Sequence, residues 1–134
     1  MPIRSRLIAL LFLPAALALG ACGERLTPPL SPGGDYAAVL VSPNPLEGSA
    51  LIELTGPGIL DVRRNSSYVT SSTIAGGRRV VIIRSSPGRL DFIVSIAPGG
   101  ALPSARVLEV ADDNNELRPS LNGYGVTYTL VKAP

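Results

Sequence analysis

An antiparallel β-sandwich of about eight short strands is the fold this 134-residue chain predicts, and three observations carry that all-β assignment. From Asp35 onward, apolar residues alternate with polar ones or fall in short runs, the pattern of strands with one buried face. Clusters of Gly, Pro, Asn and Ser interrupt the runs at close intervals and leave pieces of ordinary strand length. Nothing in that region sustains the 3.6-residue apolar period of an amphipathic helix.

The chain opens differently. Arg4 and Arg6 precede an apolar run over residues 7–19, closed by the small residues Gly20 and Ala21. That is the layout of a secretory signal peptide over residues 1–21. The run falls short of the roughly 20 residues that cross hydrocarbon, and Pro14 interrupts it, so a permanent transmembrane helix is the poorer reading. Leu19-Gly20-Ala21-Cys22 resembles the lipobox of bacterial lipoproteins, in which the cysteine is acylated and becomes the first mature residue. The resemblance implies lipidation of Cys22, attachment to the membrane through that lipid and, with Gly23 rather than Asp next, an outer-membrane place in the cell envelope. The alternative is cleavage after Ala21 by ordinary signal peptidase, which leaves a lone reactive thiol in an exported chain.

Residues 22–34 hold Pro28, Pro29, Pro32, Gly33 and Gly34, a composition that resists helix and paired strand and reads as a tether. The sandwich is expected over 35–134. Its strands are predicted at 36–41, 50–54, 59–62, 68–74, 79–84, 90–96, 105–111 and 124–130, each bounded by turn residues. Ala75-Gly76-Gly77 is a hairpin turn in this reading, because glycine takes positive φ at little cost. Leu90, Phe92, Val94 and Ile96 form the cleanest alternation and are expected at the centre of the core. Val39-Leu40-Val41, the segment from Glu47 to Leu54 and Ile59 to Val62 resemble the opening of cohesin-like and immunoglobulin-like sandwiches of exported bacterial proteins. The resemblance implies a sandwich of jelly-roll type. No dockerin-like duplicated calcium loop accompanies it, so the scaffolding role of cohesins is not carried over.

Charge and residue usage bound the chemistry. The 12 Lys and Arg against 10 Asp and Glu become ten against ten once Arg4 and Arg6 leave with the signal. A neutral mature chain has no basic footprint for nucleic acid, and no nucleic-acid partner is expected. Histidine is absent and Cys22 is the only cysteine, which removes the imidazole base, the thiolate nucleophile and the N/S metal ligands. Carboxylate hydrolysis is left to Glu53, Asp61, Asp91 and Glu109, each of which reads as a solvent-facing strand residue.

Two clusters remain. Asp112, Asn114 and Glu116 have the i, i+2, i+4 spacing that begins many calcium loops, but the glycine and the distal acid of such loops are missing, so a plain Asx turn is the favoured reading over bound calcium. Between Asp61 and Asp91 six arginines face two aspartates, and Arg63, Arg64, Arg78 and Arg79 are candidates for an anionic-ligand patch. The competing role is protection of sheet edges. Together these features predict a non-enzymatic envelope lipoprotein, without a cofactor, whose sandwich binds or assembles with another envelope or surface protein. A polysaccharide- or calcium-binding module is the alternative.

Overall fold

A computed structural model of the chain describes residues 32–85 and 89–133. The signal segment, Cys22 and most of the tether lie outside the described residues. Among the described residues there are eight strands: β1 (Gly34–Val41), β2 (Ser49–Thr55), β3 (Ile59–Arg64), β4 (Tyr68–Ile74), β5 (Gly77–Ile83), β6 (Asp91–Ile96), β7 (Ser104–Ala111) and β8 (Gly125–Lys132). None of the described residues is helical. The strands form two four-stranded sheets, β3-β6-β1-β8 and β4-β5-β2-β7, with every pairing antiparallel.

The topology is that of one long hairpin rolled over. β1 pairs with β8, β2 with β7, β3 with β6 and β4 with β5, and the pairs β1·β6 and β2·β5 join the two halves of the roll. The tip of that hairpin is the Ala75-Gly76 turn. Gly76 has φ 73°, while Gly77 already opens β5; a Cβ on Gly77 would lie 1.9 Å from the Leu54 carbonyl oxygen, so close backbone approach rather than turn geometry keeps glycine there.

The inner faces follow the period of two. Tyr36, Ala38 and Leu40 from β1, Ile52 and Leu54 from β2, Val80 and Ile82 from β5, and Phe92, Val94 and Ile96 from β6 make one cluster with Val62, Leu90 and Val110. Phe92, Val94, Ile52, Leu54, Val80 and Ile82 are wholly buried, so the central strands carry most of the apolar burial. The alternation around Phe92 lies where the sequence puts it. Ile93 adds something the alternation does not predict: it points to the outer face, yet it is buried, flanked by Ala37 of β1 and Arg63 of β3.

Strand direction sorts the loops into two ends. Gly33, loops 56–58, 75–76 and 97–103, and Ala133 gather at the end where the chain enters, close to Gly34, Ile96 and Lys132. Loops 42–48, 65–67 and 112–124, with residues 84–85 and 89–90, gather at the opposite, distal end.

A distal polar cluster and an open sheet edge

The distal end is held by a buried carboxylate. Glu47 follows Leu46 in the β1–β2 loop and is only 5% exposed. The Ser42 hydroxyl donates to its Oε1 at 2.7 Å, the Tyr124 hydroxyl donates to the same oxygen, and Arg118 Nε donates to Oε2 at 3.0 Å. Asn44 Nδ2 donates to the Tyr124 oxygen at 2.7 Å and Arg118 Nη2 reaches the Leu46 carbonyl, so one network ties the β1–β2 loop to the β7–β8 loop. Burial pushes the Glu47 carboxyl up, but the hydrogen bonds from Tyr124, Ser42 and Arg118 outweigh it and hold the group below the usual carboxylate range. Glu47 is therefore an anion with its acceptors committed, which suits a structural tie better than proton transfer.

Beside this network lies a cleft of about 330 Å³, lined by Val39, Val41, Ser42, Pro45, Glu47 and Arg89 among others. The β3–β4 loop at the distal end is tied down by Asp91. Its side chain accepts from Asn65 Nδ2 at 2.7 Å and from the Ser66 and Ser67 amides and hydroxyls. Asp91 thus holds the β3–β4 loop, where the sequence had it as a solvent-facing strand residue.

The acidic turn closes on itself. Asp112 Oδ1 accepts the amides of Asn114 at 2.8 Å and Glu116 at 3.1 Å, its Oδ2 lies 3.8 Å from Arg118, and Asn115 takes φ 63°. Those amide bonds, that of Glu116 first, hold the Asp112 carboxyl below its ordinary range. The turn commits Asp112 Oδ1 to backbone amides. Among the described residues, no group of three or more His, Cys, Asp or Glu is placed to hold a metal ion.

The four arginines do not share a surface. Arg63 and Arg64 lie on the edge strand β3, and Arg78 and Arg79 on β5 of the other sheet. Each has its own partner: Arg63 meets Asp35 and the Ser95 hydroxyl, Arg64 lies 4.5 Å over the Tyr68 ring, Arg78 Nη2 reaches the Leu60 carbonyl, and Arg79 pairs with Glu53, which Arg106 also contacts. Exposed ion pairs of this kind contribute little to stability. On β3 the arginines fit edge protection.

The Arg63 cluster has a pH signature. Hydrogen bonds from Arg63 and then from Ser95 hold the Asp35 carboxyl down at about 2, below its ordinary 3.8. A depressed folded-state value stabilises the fold above the ordinary value, and that contribution is lost as pH falls through about 2. Thermal unfolding followed by circular dichroism should therefore show a smaller loss of Tm between pH 4 and pH 2 in Asp35→Asn than in the parent chain. Equal slopes would remove Asp35 from the acid transition.

The sheets leave four edge strands, β3, β8, β4 and β7. β3 carries Asp61, Arg63, Arg64 and an irregularity between Ile59 and Asp61; β7 carries Arg106 and Glu109 and a register shift opposite Leu51 and Ile52. β4 is uncharged, but Arg64 covers Tyr68 at one end of it, and Arg78 pairs with Thr73 near the other. β8 differs from all three. From Gly125 to Val131 it holds no charge and no proline, its ladder to β1 is regular from Gly125 to Leu130, and Leu130 and Val131 are exposed. The Tyr128 hydroxyl on this strand is buried without a hydrogen-bond partner among the described residues, and burial pushes it up to about 12.

Sequence reading misses Glu47, Arg118 and Tyr124 as a group, since the partners lie 71 and 77 residues along the chain from Glu47. The only local signal is an isolated acid between Leu46 and Gly48. Comparison with protein-family models, with curated proteins and with solved structures returns no match.

Proposed function

We propose that this chain is a non-enzymatic envelope lipoprotein, anchored through Cys22, whose sandwich recruits another envelope or surface protein by strand addition along β8. The carrying observation is the unprotected edge: seven consecutive uncharged residues, rich in β-branched and aromatic side chains, on the outermost strand of a sheet. An added strand would satisfy the outward backbone groups of β8 and extend β3-β6-β1-β8 to five strands, while pockets between alternate side chains give selectivity. The lack of histidine and the single cysteine support a binding role over catalysis.

The test uses the paired surface variant Thr127→Lys and Thr129→Lys. Both residues are exposed on the outer face opposite Val39 and Ala37, so the fold should change by no more than about 0.5 kcal/mol at each site. Charges on an edge strand oppose pairing. Mild crosslinking of the envelope followed by purification should recover a specific protein with the parent chain and at least tenfold less of it with the variant. Equal recovery, or no specific protein with the parent, overturns strand addition at β8. A polysaccharide ligand is the second reading, favoured by the distal cleft beside Glu47 and Arg89.

A further inference from the structure

The two ends of the sandwich differ in charge. Loops 42–48 and 112–124, with residues 84–85 and 89–90, hold Glu47, Arg84, Arg89, Asp112, Asp113, Glu116 and Arg118 at the distal end. At the other end, loops 56–58, 75–76 and 97–103 hold no charged residue at all and consist of Gly, Pro, Ala and Leu. These loops form one surface. The Gly56 amide donates to the Gly76 carbonyl at 2.9 Å, the Ala97 amide donates to the Gly58 carbonyl at 2.8 Å, and a Cβ on Gly58 would lie 3.1 Å from Gly100 Cα. Leu102 of the 97–103 loop is 43% exposed, and Leu60, second in β3 between Ile59 and Asp61 and with Arg78 Nη2 on its carbonyl, is 60% exposed.

The chain enters at this same end. Gly33 approaches the 97–103 loop so closely that a Cβ would lie 2.7 Å from the Pro98 nitrogen. Ten residue steps separate Cys22 from Pro32, a reach of at most about 35 Å even when fully extended.

We infer that the end of the sandwich with uncharged loops is a lipid-facing surface, seated on the headgroups of the bilayer that holds the anchor, with Leu60 and Leu102 as its apolar contacts. The inference rests on the lipoprotein reading above and adds to it the face and the residues that meet the membrane. Three physical terms act together. Charged side chains lose hydration when they enter the interface, and these loops contain none. Exposed leucines gain by settling at the boundary between headgroups and acyl chains. Lys132, exposed at the same end, adds attraction to anionic lipid. β8 runs from the distal end toward the bilayer in this orientation, which leaves its edge facing sideways into the envelope space.

Hydrogen exchange read by mass spectrometry tests the seating. The full chain is reconstituted in vesicles of phosphatidylethanolamine and phosphatidylglycerol, through its own acyl chains or, where the Cys22 thiol is unmodified, by coupling that thiol to a maleimide-headgroup lipid. Amides in 58–60 and 99–102 should exchange several-fold more slowly than in the Cys22→Ser chain free in solution, while 113–117 should exchange equally. The double variant Leu60→Asp, Leu102→Asp, both at exposed positions, should stay attached to the vesicles and lose that protection. Unchanged exchange at 58–60 and 99–102, or protection confined to the distal loops, overturns the inference. Palmitate labelling of the parent against Cys22→Ser reads the anchor separately: if neither chain labels, the anchor reading falls, while the thiol-coupled vesicles still decide which face meets lipid.

Discussion

Phe92→Ala should lower stability by about 3–5 kcal/mol, because a wholly buried aromatic is removed from the centre of the core and the cavity cannot close fully. Phe92 pairs with Ala38 on β1 and Arg64 on β3, so a small side chain flanks its ring in the core, and Ala50 belongs to the same buried cluster. Side chains that short cannot collapse into the gap. In a domain of about 100 residues, each kcal/mol corresponds to roughly 4–8 °C in Tm, so an apparent Tm at least about 12 °C below the parent is expected in thermal unfolding. Total stabilities of about 5–15 kcal/mol make complete unfolding at 37 °C the outcome if the parent sits at the low end. Phe92→Leu keeps most of the volume and should cost well under half as much. A Phe92→Ala chain within about 5 °C of the parent would show that the sheets repack around β6.

Glu47→Ala should be the most costly change outside the core. It leaves the Arg118 guanidinium, about a quarter exposed, and the Tyr124 and Ser42 hydroxyls without their shared acceptor. Removing one partner of a fully buried ion pair costs about 3–5 kcal/mol, and the partial exposure of Arg118 reduces this to about 2–3 kcal/mol. Glu47→Gln retains an oxygen for the two hydroxyls and should recover about half of the loss. The two variants also separate charge from shape. Because the Glu47 carboxyl is held below its ordinary range in the folded chain, its contribution is present above that ordinary range and fades as pH falls below it. Below about pH 4 the stability gap between Glu47→Gln and the parent should therefore narrow. Urea unfolding of both variants at pH 7 and pH 3 measures this, and a gap that is the same at both values would remove the ionised carboxylate from the account.

Much of the architecture was readable because it rests on local rules. The alternation Leu90, Phe92, Val94, Ile96 marks a buried face whatever the partner strand, since side chains on a strand repeat every two residues. Gly76 marks a turn, and Asp112 marks an Asx turn, because each acts on backbone within a few residues of itself. The distal tie was not readable in the same way. Glu47, Arg118 and Tyr124 meet only because β1 pairs with β8 and β2 with β7, and no spacing along the chain encodes that meeting. The same holds for the four arginines: adjacent in sequence as Arg63-Arg64 and Arg78-Arg79, they are divided between two sheets, because β3 and β5 belong to different layers of the roll.

The edge strands show the division most clearly. Composition marks 124–130 as an uncharged, β-prone segment, which is equally suited to the middle of a sheet. Only the strand order makes it an edge, and an edge is where backbone groups are left to pair. The sequence alone thus determined the fold class, the strand positions and the central core face. Those follow from side-chain period, turn chemistry and hydropathy, all local to a segment. The tertiary structure decided which carboxylate is buried, which charges are paired, which strand lies open and which end of the sandwich has uncharged loops. Each of these depends on neighbours brought together across tens of residues by sheet register, and no local property of the chain specifies that register.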